Sequence, residues 1–212
     1  MEEKIQDWKV KTLMNGGDIT WIVPNGYVSY SSISKVYSSP KDWAEHYIHG
    51  NKQDLSHLIQ IREGSNIADK RENDEWYGAK YPSLPLKEEL FMKAIKMTNG
   101  KMIPIMAKID CCSEDYMYLQ DDKSADIYKK TPWSREKLYK ENQFRLYSLM
   151  AYEITGKIPQ FRVLVIDMLN GVELDTFSMF SVQYTMKELD EVREWVTEGV
   201  KRMGVEIINN LG

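Results

Sequence analysis

Apolar and polar positions in the first third of the chain predict a hairpin, then helices, then a loop. Residues 18–32 place β-branched and aromatic residues around a Pro-Asn-Gly turn, which favours a short hairpin. Residues 39–50 open with Ser-Pro and end in Gly, the pattern of a capped helix. We expect a second helix over 54–70, and a loop over 71–87, where charges mix with glycine and proline.

The middle of the chain predicts three adjacent strands. Strand-like runs at 89–97 and 102–110 flank an Asn-Gly pair, a strong signal for a tight hairpin. A third run, 116–125, follows within a few residues. Together they predict an antiparallel meander.

The last third predicts two helices around one strand. Residues 134–156 carry apolar side chains on one side and end in Gly156, so we expect a single helix there. Residues 161–168 form a nearly continuous apolar run, interrupted by Arg162 and Asp167, which is typical of a strand buried on both faces. Thr185 and Glu188 form a capping box ahead of a terminal amphipathic helix. The order predicts a mixed α/β fold, with a central sheet flanked by helices.

Composition limits the classes of function. The 212 residues are 42% hydrophobic and 28% charged, as expected of one globular domain over 1–212. We see neither a membrane-spanning window nor a signal peptide, and expect a cytoplasmic protein that does not contact membranes. Two adjacent cysteines support neither a disulfide framework nor a four-cysteine metal site. The net charge of −4 argues against electrostatic binding of nucleic acid by the protein surface as a whole, but it is compatible with a local basic groove.

Carboxylates end two of the predicted strands. Asp110 closes the second strand, and the third carries Asp121, Asp122 and Lys123. Because side chains alternate along a strand, Asp121 and Lys123 should share a face that Asp110 approaches, while Asp122 points away. Converging carboxylates repel unless a cation lies between them, and oxygen ligands of this kind suit Mg²⁺ or Mn²⁺. With a lysine alongside, such a site can hydrolyse phosphodiesters. Taken alone, a DDK triplet is more often a solvated turn.

These motifs resemble the RecB-type branch of the PD-(D/E)XK nuclease superfamily, which includes phage and cellular recombination exonucleases. In that family a strand ends in Asp, the next strand carries Asp/Glu-x-Lys, and a helix carries Gln-x-x-x-Tyr. This chain has the three in order, as Asp110, then Asp121 to Lys123, then Gln143 and Tyr147. The resemblance covers roughly 30–168, with its motif core at about 102–168.

The resemblance implies a restriction-endonuclease-like core and a Mg²⁺- or Mn²⁺-dependent deoxyribonuclease, an exonuclease of phage or mobile-element DNA recombination or repair. Asp110 and Asp121 would hold the metal with the main-chain carbonyl of Asp122, and Lys123 would position the water. Gln143 and Tyr147 would complete the catalytic pocket. The implied partners are single- or double-stranded DNA and a recombinase or single-strand-binding protein, in the bacterial host cytoplasm if the protein is phage-encoded.

The chain also departs from the family pattern. The family's metal-binding His on an upstream helix is replaced by Ala68, so Asp69 takes over that role or the ligand is missing. Glu89, at the start of the meander, is a further candidate metal ligand or else a solvated strand end. Ser39 stands where iron–sulfur members have a cysteine, which argues against a cluster.

One segment is predicted to bind DNA through basic side chains, and Trp133 or Tyr139 in it could stack on a base or pack internally. Its basic residues are Lys129, Lys130, Arg135, Lys137, Lys140 and Arg145. The sequence leaves two alternatives open. One is a catalytically inactive nuclease-like module that binds DNA or protein. The other is a structural protein in which Asp110 and Asp121 lie far apart.

Overall fold

The computed structural model describes residues 26–51, 80–128, 133–170 and 172–211. The chain divides into two compact units. The first unit comprises Met1–Gln53, Met92–Ala107 and Asp190–Gly212, and the second comprises Asp54–Phe91 and Lys108–Leu189. A single nuclease-like domain over 1–212 stays a prediction.

Along the described residues two helices precede three strands, and two further helices, two strands and a terminal helix follow. The helices are α1 (Tyr30–Ser38), α2 (Pro40–Tyr47), α3 (Arg135–Lys140), α4 (Asn142–Thr155) and α5 (Met186–Leu211). The strands are β1 (Leu86–Lys96), β2 (Met102–Cys112), β3 (Tyr118–Asp126), β4 (Gln160–Leu169) and β5 (Val172–Gln183). In the ranges that the structure describes, no helix is both long and apolar enough to cross a bilayer.

The strands form one mixed sheet in the order β1-β2-β3-β4-β5. β3 pairs antiparallel with β2 and parallel with β4, and β4 pairs antiparallel with β5. A parallel pair needs a long crossover connection, and α3 and α4 supply it between β3 and β4. The predicted mixed α/β fold, a central sheet flanked by helices, is therefore confirmed.

The core of the second unit lies between α4 and β4. Phe144 of α4 stacks on Phe161 of β4 with ring centroids 4.7 Å apart, and both side chains are fully buried. All four residues from Val163 to Ile166 are buried, which confirms the predicted strand with both faces covered. On the opposite face, Tyr81 packs with alternate apolar residues of β4 and donates a hydrogen bond of 2.6 Å to Glu173.

The first unit is held together by close contact between α1 and α5. Tyr37 stacks on Trp195 at 5.6 Å, and its hydroxyl donates to the Trp195 carbonyl oxygen at 2.9 Å. The helices approach closely at Gly199, where an added Cβ would lie 2.6 Å from a methyl group of Ile33. A glycine is required there because no larger residue fits without displacing buried Ile33.

Two predicted boundaries are wrong for physical reasons. The helix over 134–156 is two helices, because Glu141 adopts an extended conformation (φ −82°, ψ 109°) between α3 and α4. The Glu141 carboxylate accepts a hydrogen bond from the backbone N–H of Gln143 and so caps α4. The predicted hairpin over 18–32 is also wrong for its last residues, because α1 begins at Tyr30, with a capping box formed by Ser29 and Ser32. Residues 18–25 lie outside the described range.

Other boundaries need smaller changes. α2 begins at Pro40 as predicted, although the Ser39 side chain makes no capping hydrogen bond. Gly156 ends α4 in the left-handed region (φ 72°), and the Thr185–Glu188 capping box precedes α5, both as predicted. The strand β5 was not predicted. The helix expected over 54–70 lies outside the described residues, as does most of the 71–87 loop.

We expect Phe161→Ala to lower the free energy of unfolding by about 3–5 kcal/mol, because it removes a buried ring that holds α4 to the sheet. Phe177→Ala is the matched control, since that ring is 41% exposed and should cost about 1 kcal/mol. Urea denaturation followed by circular dichroism measures both. Equal losses would contradict the role given to the Phe144–Phe161 stack.

Candidate active site

Strand pairing brings the Asp110 carboxylate to β3. The last residues of β2 pair with the start of β3, with Cys111 opposite Gln120. Asp110 then accepts a hydrogen bond of 2.7 Å on Oδ2 from the backbone N–H of Asp122. This bond fixes a carboxylate from β2 against the strand that carries the other two aspartates.

Asp121 and Lys123 share a face of β3, as strand alternation predicts. Asp121 is 3% exposed, and its Oδ2 lies 2.6 Å from Lys123 Nζ. The two groups form an ion pair. The triplet Asp121 to Lys123 is therefore not a solvated surface turn, because the carboxylate of Asp121 is buried.

The Asp121 carboxylate is in an environment that opposes its charge. Burial, helped by the nearby charges of Asp110 and Asp122, outweighs the opposing effect of the Lys123 ammonium and raises the pKa of Asp121 to about 7. One ammonium therefore does not offset both the desolvation and the neighbouring carboxylates. A divalent cation at Asp110 and Asp121 would supply the missing positive charge.

Lys123 keeps its proton. Burial alone would lower the pKa of its ammonium, but the charge of Asp121 outweighs this with help from Asp110 and Glu141, and the pKa is raised. The ammonium also lies 5.7 Å from the centroid of the Phe144 ring. Lys123 is therefore suited to act as a fixed positive charge rather than as a proton acceptor.

Gln143 and Tyr147 lie on the turn of α4 that approaches Lys123. Lys123 Nζ lies 3.5 Å from Gln143 Oε1, and Gln143 Nε2 donates to the Tyr147 hydroxyl at 2.9 Å. Burial raises the pKa of Tyr147, and the charges of Asp121 and Asp110 raise it further, so the phenol stays neutral. The structure thus connects three elements into one chain of polar contacts, β2 to β3 to α4.

The side chain of Asp122 points to the opposite face, where it belongs to a second network. Its Oδ1 accepts a hydrogen bond of 2.8 Å from Gln120 Nε2, which also donates to the Pro82 carbonyl oxygen at 2.9 Å. Arg162 Nε donates to Gln120 Oε1 at 2.5 Å. Gln120 is fully buried, so this network holds β3 to β4 behind the candidate active site.

Of the two further metal ligands suggested by sequence, the structure describes Glu89. Glu89 accepts a hydrogen bond of 3.4 Å from Tyr116, and its charge contributes to raising the pKa of the buried Cys112 thiol. Asp69 lies outside the described residues. Within the described ranges, no group of three or more His, Cys, Asp or Glu side chains is arranged to hold a metal ion.

The predicted basic segment is described only in part. Lys129 and Lys130 fall outside the described residues, and Arg135 is exposed at the start of α3. Lys137 lies over the Trp133 ring at 4.1 Å, whereas Lys140 forms an exposed ion pair of 2.7 Å with Glu136. Arg145 donates to the Tyr139 carbonyl oxygen at 2.8 Å, a contact within the fold. DNA binding by this segment stays a prediction.

Sequence reasoning missed Glu141 and Phe144 as neighbours of Lys123. Both depend on the break between α3 and α4, and the apolar pattern of 134–156 carries no sign of that break. The Gln120–Arg162 contact was also missed, although parallel pairing places these two residues opposite each other.

Comparison with known proteins identifies the fold. No protein-family model matches the chain, and no curated protein matches it either. A candidate exonuclease from Eubacterium rectale superposes with a TM-score of 0.57 at 11% identity, over 85% of this chain and 82% of that one. An alkaline exonuclease from Laribacter hongkongensis superposes with a TM-score of 0.50 at 13% identity, over 90% of this chain and 94% of that one. The chain is therefore similar in fold to exonucleases, as its motifs suggest.

We expect the metal-free protein to become more stable as the pH falls from about 8 to about 5. An ordinary carboxyl titrates near 4 in the unfolded chain, whereas the pKa of Asp121 in the folded protein is about 7. The folded state therefore binds the extra proton between these values, and the stability that it provides is lost as the pH rises through the folded pKa.

Asp121→Asn removes this group, so its change in unfolding free energy over the same interval should be smaller by about 1–3 kcal/mol. Urea denaturation of both proteins in EDTA at the two pH values measures the difference. The same pH dependence in both proteins would contradict a buried, proton-binding Asp121.

Proposed function

We propose that the chain is a metal-dependent deoxyribonuclease that hydrolyses phosphodiester bonds, with Asp110, Asp121 and Lys123 at its centre. The observation that carries this proposal is the ion pair of 2.6 Å between Lys123 and buried Asp121, beside a second carboxylate fixed on the same strand. A structural protein has no need to bury repelling carboxylates together. A site that binds a cation and a phosphate does.

The donor set fits Mg²⁺ or Mn²⁺. These ions prefer oxygen ligands and commonly use one or two carboxylates, with water and substrate oxygens completing the coordination. Asp110 and Asp121 would be the side-chain ligands, and the main-chain carbonyl of Asp122 a third donor. The bound ion would supply Lewis-acid activation of the phosphate and of the attacking water.

The protein's own groups would position the reactants. Lys123, held protonated by Asp121, would orient water or stabilise the negative charge that develops at phosphorus. Gln143 can receive a hydrogen bond from Lys123 and donates one to Tyr147, so the pair would fix the ammonium and complete the catalytic pocket. The neutral phenol of Tyr147 can still donate a hydrogen bond to a substrate oxygen.

Similarity in fold to two exonucleases favours DNA as the substrate and cleavage from an end. From the motif resemblance we further propose a role in phage or mobile-element DNA recombination, repair or processing, in a bacterial cytoplasm. The exposed Arg135 and the neighbouring basic residues would contact the DNA backbone.

A second candidate is a nuclease-like binding module without catalysis. One observation favours it, namely that the described part of the chain contains no arrangement of three metal-ligating side chains. Such a module would bind DNA without cleaving it, and without any stabilisation by divalent metal.

The cleavage test uses end-labelled single- and double-stranded DNA with Mg²⁺, Mn²⁺ or EDTA. We expect metal-dependent cleavage by the wild type and at least about a 100-fold lower rate for Lys123→Ala, the usual cost of removing a group that stabilises transition-state charge. Lys157→Ala, which removes an exposed lysine of the same unit, is the control and should retain the wild-type rate. Folded wild-type protein that cleaves nothing with any metal would favour the binding module.

Metal binding can be tested without activity. Mn²⁺ at about 100 times its dissociation constant should raise the free energy of unfolding by about 2.7 kcal/mol. Asp110→Asn should lose this gain, because it removes a ligand while its amide oxygen can still accept the Asp122 N–H. Asp190→Asn, at an exposed carboxylate on α5, should keep it. Equal stabilisation of all three proteins would place the metal elsewhere.

A further inference from the structure

A cavity of about 140 Å³ opens on the same face of the sheet as Asp121 and Lys123. Val165, which lines the cavity, is the register partner of Lys123. Ser178 and Phe180 of β5 pair with Val165 and Val163, so they point to the same side. Trp133 and Asp167 also line the cavity.

We propose that this cavity, which we call the base pocket, binds one unstacked nucleobase of the strand that is cleaved. The proposal rests on the proposed nuclease function and narrows its substrate to nucleic acid that is unpaired next to the scissile phosphate. The lining residues that would contact the base are Trp133, Val165, Asp167, Ser178 and Phe180.

The size of the base pocket favours a single ring system. A protein cavity of about 150 Å³ binds one benzene ring, and this opening of about 140 Å³ is of the same size. A base pair is too large to enter it. A nucleotide can therefore place its base there only when it is unpaired, as enzymes that extract a base from the duplex require.

The aromatic walls of the base pocket suit the flat face of a base. Two contacts hold the Trp133 ring, whose centroid lies 5.8 Å from that of Phe144 and 4.1 Å from Lys137 Nζ. A side chain oriented in advance loses little freedom when a base stacks on it. Base stacking on an aromatic side chain is worth on the order of a 10- to 100-fold change in affinity.

Polar groups in the base pocket can satisfy the edge of the base. Asp167 Oδ2 accepts a hydrogen bond of 2.7 Å from Thr176, which orients the carboxylate. A carboxylate can accept further hydrogen bonds from the ring N–H and amino groups of a base. The Ser178 hydroxyl can donate or accept alongside it. Both face and edge of a base therefore find matching groups.

The position of the base pocket links it to the chemistry. Lys123 and Val165 are paired directly across β3 and β4, so the cavity begins one strand away from the ammonium. Phe144 lies next to both Lys123 and Trp133. Its ring centroid is 5.7 Å from Lys123 Nζ and 5.8 Å from the ring centroid of Trp133. A base in the pocket would thus hold its nucleotide beside the scissile phosphate.

The test combines substrate and protein changes. Oligonucleotides carry either a normal base or an abasic residue at one position on either side of the cleaved bond. Their single-turnover cleavage is measured with wild type, Trp133→Ala and Ser178→Phe. Ser178→Phe fills the cavity from β5 and leaves the Trp133–Phe144 contact in place, so it covers the case in which Trp133→Ala does not fold. Trp133→Phe is the conservative control.

We expect removal of the base at one position to lower the cleavage rate of wild type and Trp133→Phe about 10- to 100-fold. The same removal should lower the cleavage rate of Trp133→Ala and Ser178→Phe less than about threefold. Such non-additivity shows that the base and the altered side chain interact. Wild type that is indifferent to base removal at every position overturns the proposal. So does a penalty that is unchanged in both Trp133→Ala and Ser178→Phe.

Binding measured in EDTA separates this proposal from the proposed function. If no metal supports cleavage, the nuclease proposal fails, and fluorescence anisotropy with the same oligonucleotides still tests the pocket. Wild type should bind the abasic oligonucleotide with a dissociation constant about 10- to 100-fold larger than that of the normal oligonucleotide. Loss of this difference in Ser178→Phe supports the base pocket. Equal dissociation constants for both oligonucleotides with wild type overturn it.

Discussion

The Asp121 carboxylate is buried beside Asp110 with the ammonium of Lys123 against it, and the architecture of the second unit serves this arrangement of charge. Antiparallel pairing of β2 and β3 fixes Asp110 on the Asp122 amide. Alternation along β3 turns Asp121 and Lys123 to one face. The energy cost of burying this carboxylate, and secondarily of placing it beside Asp110, is visible in the raised pKa of Asp121, and a bound cation would offset it.

The helix over this face contributes more than cover. Glu141 interrupts the helical run, and α4 therefore begins at Asn142, with Gln143, Phe144 and Tyr147 near Lys123. Phe144 is central because it stacks on Phe161 below and contacts Trp133 at the side. One buried ring thereby joins the sheet core, the ammonium and the base pocket. On the opposite face, the Gln120–Arg162 contact ties β3 to β4, so the strand that carries Asp121 is held from both sides.

Much of the fold follows from local patterns in the sequence. The meander could be predicted from three strand-like runs and one Asn-Gly pair, and β4 from a nearly continuous apolar run. β5 could have been found, since residues 172–183 follow a second Asn-Gly pair and alternate apolar with polar residues along much of their length, a pattern typical of a half-exposed strand. The break at Glu141 could not be predicted. Its cause is a side chain that caps the next helix, and the surrounding apolar positions fit one helix equally well.

For the site, the strand pattern alone indicated that Asp121 and Lys123 share a face that Asp110 approaches, and the resemblance added Gln143 and Tyr147. Neither could supply the contacts made by tertiary packing, such as Lys123 over Phe144 or the cavity between Trp133 and β5. These contacts join residues from separate helices and strands, and no sequence pattern links the positions of those residues. The roles of all these residues in catalysis remain proposals.

Anomalous X-ray scattering from crystals grown with Mn²⁺ would test most directly whether Asp110 and Asp121 form a cation site next to a protonated lysine. We expect an anomalous peak within about 2.0–2.6 Å of carboxylate oxygens from both aspartates, and no such peak in crystals of Asp121→Asn. Wild-type crystals that bind Mn²⁺ only at other positions, or that bind none while Lys123 stays on Asp121, would contradict a cation site at these two residues.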